Sequence, residues 1–104
     1  MRSSDAYQAV AQGRIVSIKP HGNSMTPYIR SGDPIIIEPV APQDVKRGDI
    51  VLVKVKGRIF LHFVKAATAD QVLIANAHGH LNGWTPREKV VGVVTQIRGE
   101  HRAR

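Results

Sequence analysis

The chain of 104 residues is 42% apolar and only 5% aromatic, which predicts one domain with a modest, mainly aliphatic core. It contains no cysteine, which excludes disulfides and cysteine-ligated zinc. It has neither the apolar region of a signal peptide nor a run near the ~20 apolar residues of a membrane span. We therefore expect a soluble, cytoplasmic protein. Fifteen Lys and Arg against eight Asp and Glu give a net charge of +7, but the basic residues are scattered singly, which favours a solvated surface over a nucleic-acid interface.

Capping residues and β-branched runs predict the secondary structure in chain order. Ser3 or Ser4 can cap a short helix that ends near Gly13. A Gly/Asn/His-rich loop at 77–84 precedes one helical turn, which Thr85 is expected to cap. Strands are predicted at 14–19, at 34–40, in a hairpin over 48–67 with its turn near Gly57, at 71–77 and at 90–97.

Five or six strands joined by short turns indicate an antiparallel, mostly β domain. We expect a helix or arm at residues 1–13, the β-domain at 14–98, and a flexible basic tail at 99–104. Trp84 is expected to plug the core or anchor its loop, because no second aromatic residue accompanies it to form a stacking platform.

The segment HGNSMTPYIRSGDPIII, residues 21–37, holds the strongest chemical signal. Gly22 gives the backbone freedom before Ser24, and Pro27 fixes φ shortly after it. A serine in such a turn has an exposed hydroxyl and an unpaired N–H, which suits a nucleophile beside an oxyanion site. The alternative from these residues alone is that Ser24 only caps the turn.

The wider pattern resembles a known superfamily. S-M-x-P-x-I-x-x-G-D at 24–33, G-D-I-V at 48–51 and V-V-G-V-V at 90–94 occur in the order typical of the LexA/type I signal peptidase superfamily, and the resemblance covers residues 21–97. It implies a compact, curled antiparallel β-structure in which the serine attacks a peptide carbonyl. Backbone N–H groups near Asn23 and Ser24 would form the oxyanion hole, with Gly22 and Met25 supporting the site.

The same resemblance implies a general base on the strand after the second Gly-Asp motif. Most members carry Lys-Arg-Val there, whereas this chain has His62-Phe63-Val64, which is similar to the histidine-type signal peptidases of archaea and of the eukaryotic secretory membrane. Neutral imidazole can accept a proton near pH 7. Lys65 is the competing candidate, but its odd offset from His62 places it on the other face of a regular strand.

Histidine-type relatives have an aspartate that orients the imidazole, and this chain has no acid between Asp70 and Glu88. Asn76, His78 or Asn82 could hold the ring by a hydrogen bond, and Asp70 is a less favoured substitute. His62, His78 and His80 can also be interpreted as three metal ligands. We favour the metal-free interpretation, with no metal and no other cofactor.

We therefore expect a serine endopeptidase domain that cleaves an extended peptide or protein, in trans or within itself. Only 23 residues precede Ser24, too few for a DNA-binding domain, which suggests a stand-alone, prophage- or plasmid-associated domain. The alternatives are a catalytically silent peptide- or protein-interaction module of the same fold and a basic nucleic-acid-binding β-domain. Exposed strand edges are compatible with a homodimer.

Overall fold

The computed structural model describes residues 2–104, which form one helix, two short 3-10 turns and eight strands. No helix in this range is long and apolar enough to cross a membrane. The elements are α1 Ser3–Ala11, β1 Val16–Ile18, β2 Ile35–Pro39, β3 Ile50–Val55, β4 Arg58–Ala67, β5 Gln71–Ala75, β6 Leu81–Pro86, β7 Val90–Ile97 and β8 Glu100–His101, with 3-10 turns at Pro42–Asp44 and Arg87–Lys89.

The strands of residues 2–104 form one antiparallel sheet in the order β1-β2-β7-β3-β4-β5-β6, with β8 added to the end of β7. Register shifts interrupt the pairing of β2 with β7, β3 with β7, β4 with β5, and β5 with β6. Such bulges bend a sheet and increase its twist, so the sheet curls around its own core. The predicted curled, mostly β fold with a short N-terminal helix is confirmed.

The central strand β3 is buried on both faces, which explains why five of its six residues are apolar, Lys54 being the exception. Ile50 and Leu52 pack into a cluster with α1, whereas Val51, Val53 and Val55 pack into a second cluster on the other face. A strand covered on both sides has an apolar run rather than alternation. The hairpin that β3 forms with β4 turns at Lys56 and Gly57, as the sequence predicted.

One strand, two helix caps and Trp84 differ from the sequence expectations. Leu81–Pro86, expected to be loop and the start of a helical turn, is the edge strand β6. Thr85 does not cap a turn, because its side chain faces inward and its hydroxyl donates to the carbonyl of Lys54 at 2.8 Å. Its neighbour Trp84 therefore points outward and is 46% exposed, so the expected core plug is wrong. Helix α1 begins at Ser3 without a side-chain cap from either serine.

Residues 100–104, which belong to the predicted flexible tail, contact the domain. Residues 100–101 form β8, and the N–H of Arg102 donates to the carbonyl of Thr95 at 2.7 Å. The guanidinium of Arg104 donates to both carboxylate oxygens of Asp49, at 3.1 and 2.8 Å, and Asp49 is 1% exposed. A buried carboxylate needs such a partner, and this need draws the tail onto the second Gly-Asp turn.

Gly92, in the middle of the V-V-G-V-V strand, lies where α1 crosses the sheet. A Cβ at this position would lie 2.6 Å from Cγ1 of Val10 and 2.7 Å from Cγ2 of Ile37. Both neighbours are fully buried, so neither can move aside freely. The glycine is therefore explained by the close approach of helix and sheet.

Gly92→Ala is expected to lower the free energy of unfolding by about 1–3 kcal/mol, the usual cost of overpacking a core. Urea denaturation measures this change. Val10→Ala in the same chain removes one of the two clashing methyl groups, so the double variant should lose less stability than the two single losses added. Strict additivity would contradict the contact as the cause.

Candidate active site

The loop that carries Ser24 is anchored by buried side chains that follow the serine. Met25 and Ile29 are buried in the same cluster as α1, and the N–H of Ile29 donates to the carbonyl of Met25 at 2.9 Å. Gly22 has φ of +117°, a conformation that favours glycine. Ser24 is thus exposed at the tip of a short turn whose next residue is fixed in the core.

The two Gly-Asp motifs close similar turns on either side of the site. The carboxylate of Asp33 accepts from the N–H of Arg30 at 2.7 Å, and that of Asp49 accepts from the N–H of Lys46 at 2.9 Å. The hydrogen bond from the Arg30 N–H, with help from the guanidinium of Arg98, lowers the pKa of Asp33. Each aspartate therefore fixes the turn that leads into β2 or β3.

His62 lies on β4 and is directed at Ser24. Its Nε2 is 3.1 Å from the Ser24 hydroxyl oxygen, and only 8% of the residue is exposed. The ring stacks on Phe60, two residues earlier on the same strand face, with centroids 5.2 Å apart. The period of two along a strand could have indicated this contact from the sequence, but Phe60 was not among the residues expected at the site.

Asn82 holds the other side of the imidazole. Its amide oxygen lies 2.7 Å from Nδ1 of His62, so Nδ1 carries the proton and donates it. The lone pair of Nε2 then faces the Ser24 hydroxyl, the tautomer that a general base requires. A neutral amide in this position resembles the Cys-His-Asn variant of the catalytic triad.

A β-bulge delivers Asn82 to this position. In the β5–β6 pairing Gly83 is opposite Ile74 and Leu81 is opposite Ala75, so Asn82 is the extra residue between them. Gly83 has φ of +124°, which fits an irregular edge strand. Bulges redirect side chains near sites in this way.

Burial controls the proton affinity of the imidazole. Removal from water lowers the pKa of His62 below its ordinary value of 6.5, the hydrogen bond to Asn82 acts in the opposite direction, and nearby His80 lowers it further. The net effect keeps the ring neutral at pH 7, and only the neutral ring can accept a proton from serine.

The other two predicted orienters, Asn76 and His78, brace the loops. The side-chain oxygen of Asn76 accepts from the N–H groups of His78 and His80, both at 2.9 Å. Nε2 of His78 donates to the carbonyl of Asn23 at 3.0 Å. The same carbonyl also accepts from the hydroxyl of Thr26. Of the three residues, only Asn82 contacts His62 within residues 2–104.

Backbone donors are present at the turn. The N–H of Gly22 donates to the Ser31 hydroxyl at 3.1 Å. Within residues 2–104 the N–H groups of Asn23, Ser24 and Met25 have no hydrogen-bond acceptor. The carbonyl of Ser24 accepts from Ala77 at 2.9 Å, which fixes the peptide plane after the serine. Unpaired N–H groups beside a hydroxyl can stabilise a developing oxyanion.

The other candidates for the base and for the residue that orients the imidazole, Lys65 and Asp70, lie away from Ser24 and His62. Lys65 is the unpaired residue of a bulge in β4, is exposed and does not contact Ser24. Asp70 is exposed at the start of β5 and does not reach His62. Among residues 2–104, no three His, Cys, Asp or Glu side chains lie close enough together to hold a metal ion, so the interpretation of His62, His78 and His80 as a ligand set is wrong.

A cleft of about 850 Å³ opens beside the serine and runs between β1 and the first half of β4. β1 is an end strand of the sheet, and residues 58–62 of β4 pair only with β3 among the described residues. Both walls therefore present unpaired strand edges, which can bind an extended chain. Buried Met25 and Leu52 contribute to its apolar lining.

Comparison with known families identifies the class of protein to which this chain belongs. The family model described as Peptidase S24-like matches residues 4–95, so the chain belongs to that family. The predicted resemblance to the LexA/signal peptidase superfamily is thereby confirmed. Comparisons with curated proteins and with solved structures gave no match.

Proposed function

We propose that this chain is a serine endopeptidase domain in which Ser24 is the nucleophile, His62 the general base and Asn82 the residue that positions the imidazole. The hydrogen-bonded series Ser24–His62–Asn82 carries this proposal, because its tautomer directs a base lone pair at the serine hydroxyl. Membership of the Peptidase S24-like family supports peptide cleavage as the reaction class.

The chemistry follows from these contacts. Oγ of Ser24 attacks the substrate carbonyl carbon while its proton passes to Nε2 of His62, and the carbonyl π electrons move onto the oxygen. Backbone N–H groups at Asn23 and Ser24 donate to this oxyanion. When the tetrahedral intermediate collapses, His62 donates its proton to the leaving amine and Ser24 keeps the acyl group. Water then attacks the ester while its proton passes to His62, and the imidazolium returns this proton to Oγ of Ser24 as the bond between Oγ and the acyl carbon breaks.

The substrate is an extended segment of polypeptide that lies in the cleft and pairs with the unpaired edges of β1 and β4. It belongs to another protein or to a second part of the same polypeptide. The predicted cytoplasmic location, homodimer and prophage association remain predictions alongside this function.

An active-site probe tests the nucleophile directly. A fluorophosphonate that phosphonylates activated serines is expected to add once to the protein, on the peptide that contains Ser24, as measured by mass spectrometry. Ser24→Ala should lose both this adduct and cleavage of a peptide library. Ser17→Ala is a matched control because Ser17 also lines the cleft but does not contact His62. Unchanged labelling or cleavage by Ser24→Ala would refute the proposal.

The neutral Asn82 favours a second candidate function. Because no carboxylate stabilises the imidazolium, the same cleft can serve as a peptide-binding module without turnover. This function predicts peptide affinity in both the wild-type chain and Ser24→Ala, with no adduct and no cleavage in either.

A further inference from the structure

Ser24 lines one of two recesses in this part of the molecule, and cations line both of them. The cleft is bordered by Arg2, Lys19 and Arg30. The second recess, here called the side groove, has a volume of about 320 Å³ and is bordered by Arg47 and Lys65. No Asp or Glu of residues 2–104 lines either recess.

The side groove is connected to the serine through its wall. That wall includes Ala75, Asn76 and Ala77, and the N–H of Ala77 donates to the carbonyl of Ser24 at 2.9 Å. Tyr28, four residues after the nucleophile, packs edge-on against Phe63 in the same groove, with centroids 5.0 Å apart. The wall of the side groove is therefore one hydrogen bond away from Ser24, close enough for one bound chain to reach both recesses.

None of the cations that line the two recesses forms an ion pair within residues 2–104. The only two ion pairs within residues 2–104 are Arg98–Asp33 and Arg104–Asp49, and neither uses a cation of the cleft or the side groove. Asp33 is near Arg30, but its carboxylate is bound by Arg98 and by a backbone N–H. A polypeptide in these recesses would therefore lie in a positive potential along its length.

Building on the proposed function, we propose that the substrate is an acidic peptide segment, with Asp or Glu on both sides of the scissile bond. A peptide satisfies the site better than a nucleic acid, because the unpaired edges of β1 and β4 bind backbone amides and the cleft is lined by apolar side chains such as Met25 and Leu52. The aromatic ring in the cleft, Phe60, is already stacked on His62 and is not free for a base.

A charge reversal tests the preference. We expect wild-type protein to cleave peptides flanked by Asp or Glu about tenfold faster, in kcat/KM, than the same peptides flanked by Lys or Arg. Lys19→Glu should remove most of this preference. Arg14→Glu changes the net charge equally at an exposed position outside both recesses and should retain it. Added salt should weaken the preference in the wild-type chain and in Arg14→Glu.

Measurements of peptide binding test the preference for acidic peptides independently of the proposed peptidase activity. Fluorescence anisotropy with the Ser24→Ala chain should show tighter binding of the acidic peptide than of its basic counterpart, and Lys19→Glu in that background should reduce the difference. This result would support the acidic ligand even if the wild-type chain cleaved nothing. Cleavage without a charge preference would overturn the acidic substrate and leave the endopeptidase function intact. Equally tight binding of a single-stranded oligonucleotide of matched charge would overturn it in favour of a general polyanion site.

Discussion

His62→Ala is expected to lower kcat/KM for peptide cleavage by about 10²–10⁴-fold, the range contributed by a positioned general base. Nε2 of His62 lies 3.1 Å from the Ser24 hydroxyl, and no other titratable side chain within residues 2–104 contacts that oxygen. Without the imidazole, the serine proton has no acceptor, and the hydroxyl remains a weak nucleophile near neutral pH.

Lys65→Ala is the matched control for this experiment. Lysine is the base in most members of the superfamily that the sequence resembles, but Lys65 is exposed at a bulge and borders the side groove, not the cleft. We expect its removal to leave kcat for a neutral peptide within about threefold, because it takes no proton from Ser24. If Lys65→Ala were inactive and His62→Ala active, the assignment of the base would be reversed.

The lower activity of His62→Ala supports a general base only if the variant is still folded. The side chain is mostly buried and stacks on Phe60, so circular dichroism and thermal unfolding should accompany the kinetics. Added imidazole is expected to restore part of the rate, because it can occupy the vacated position beside Asn82. Rescue without a change in fold would identify the missing group as the base.

Asn82→Asp is expected to move the acid limb of the kcat/KM profile to higher pH. In the wild-type chain burial lowers the pKa of His62 below 6.5, so the base stays neutral and activity persists below the pH at which free imidazole is half protonated. A carboxylate 2.7 Å from Nδ1 would favour the imidazolium and raise this pKa. The variant should therefore lose activity earlier as the pH falls.

Above that limb the same substitution should increase the rate. The imidazolium forms as the serine proton is transferred, and each pKa unit by which the carboxylate stabilises it is equivalent to about tenfold in rate if the stabilisation is fully expressed in the transition state. Asn82→Leu keeps a similar volume but removes the acceptor that fixes the tautomer, so its rate should fall at every pH. An unshifted acid limb in Asn82→Asp would show that the residue at 82 does not touch His62 in solution.

The sequence determined the architecture wherever local chemistry was sufficient. β-Branched runs and a central Gly57 specified the β3–β4 hairpin, and the closing strand 90–97 was predicted with the bounds that the structure has. β6 was missed because its sequence, LNGWTP, has poor β-propensity and forms a strand only through its pairing with β5. β8 and the bound tail were missed because a buried Asp49 attracts Arg104 from 55 residues away.

For the candidate site, too, part could be predicted from the sequence and part depended on the tertiary structure. The order of motifs in the sequence was enough to single out Ser24 and His62 as partners, although 38 positions separate them. It left three residues as candidates to hold the imidazole, because Asn76, His78 and Asn82 have equivalent hydrogen-bonding groups in one short segment. Only Asn82 meets His62, because it is the extra residue in the β5–β6 pairing. A one-residue change of register moves a side chain to the other face of a strand, and local sequence does not reveal where such a change occurs. The sequence by itself thus determined which groups are candidates for the site, and the folded sheet decided which of them meet.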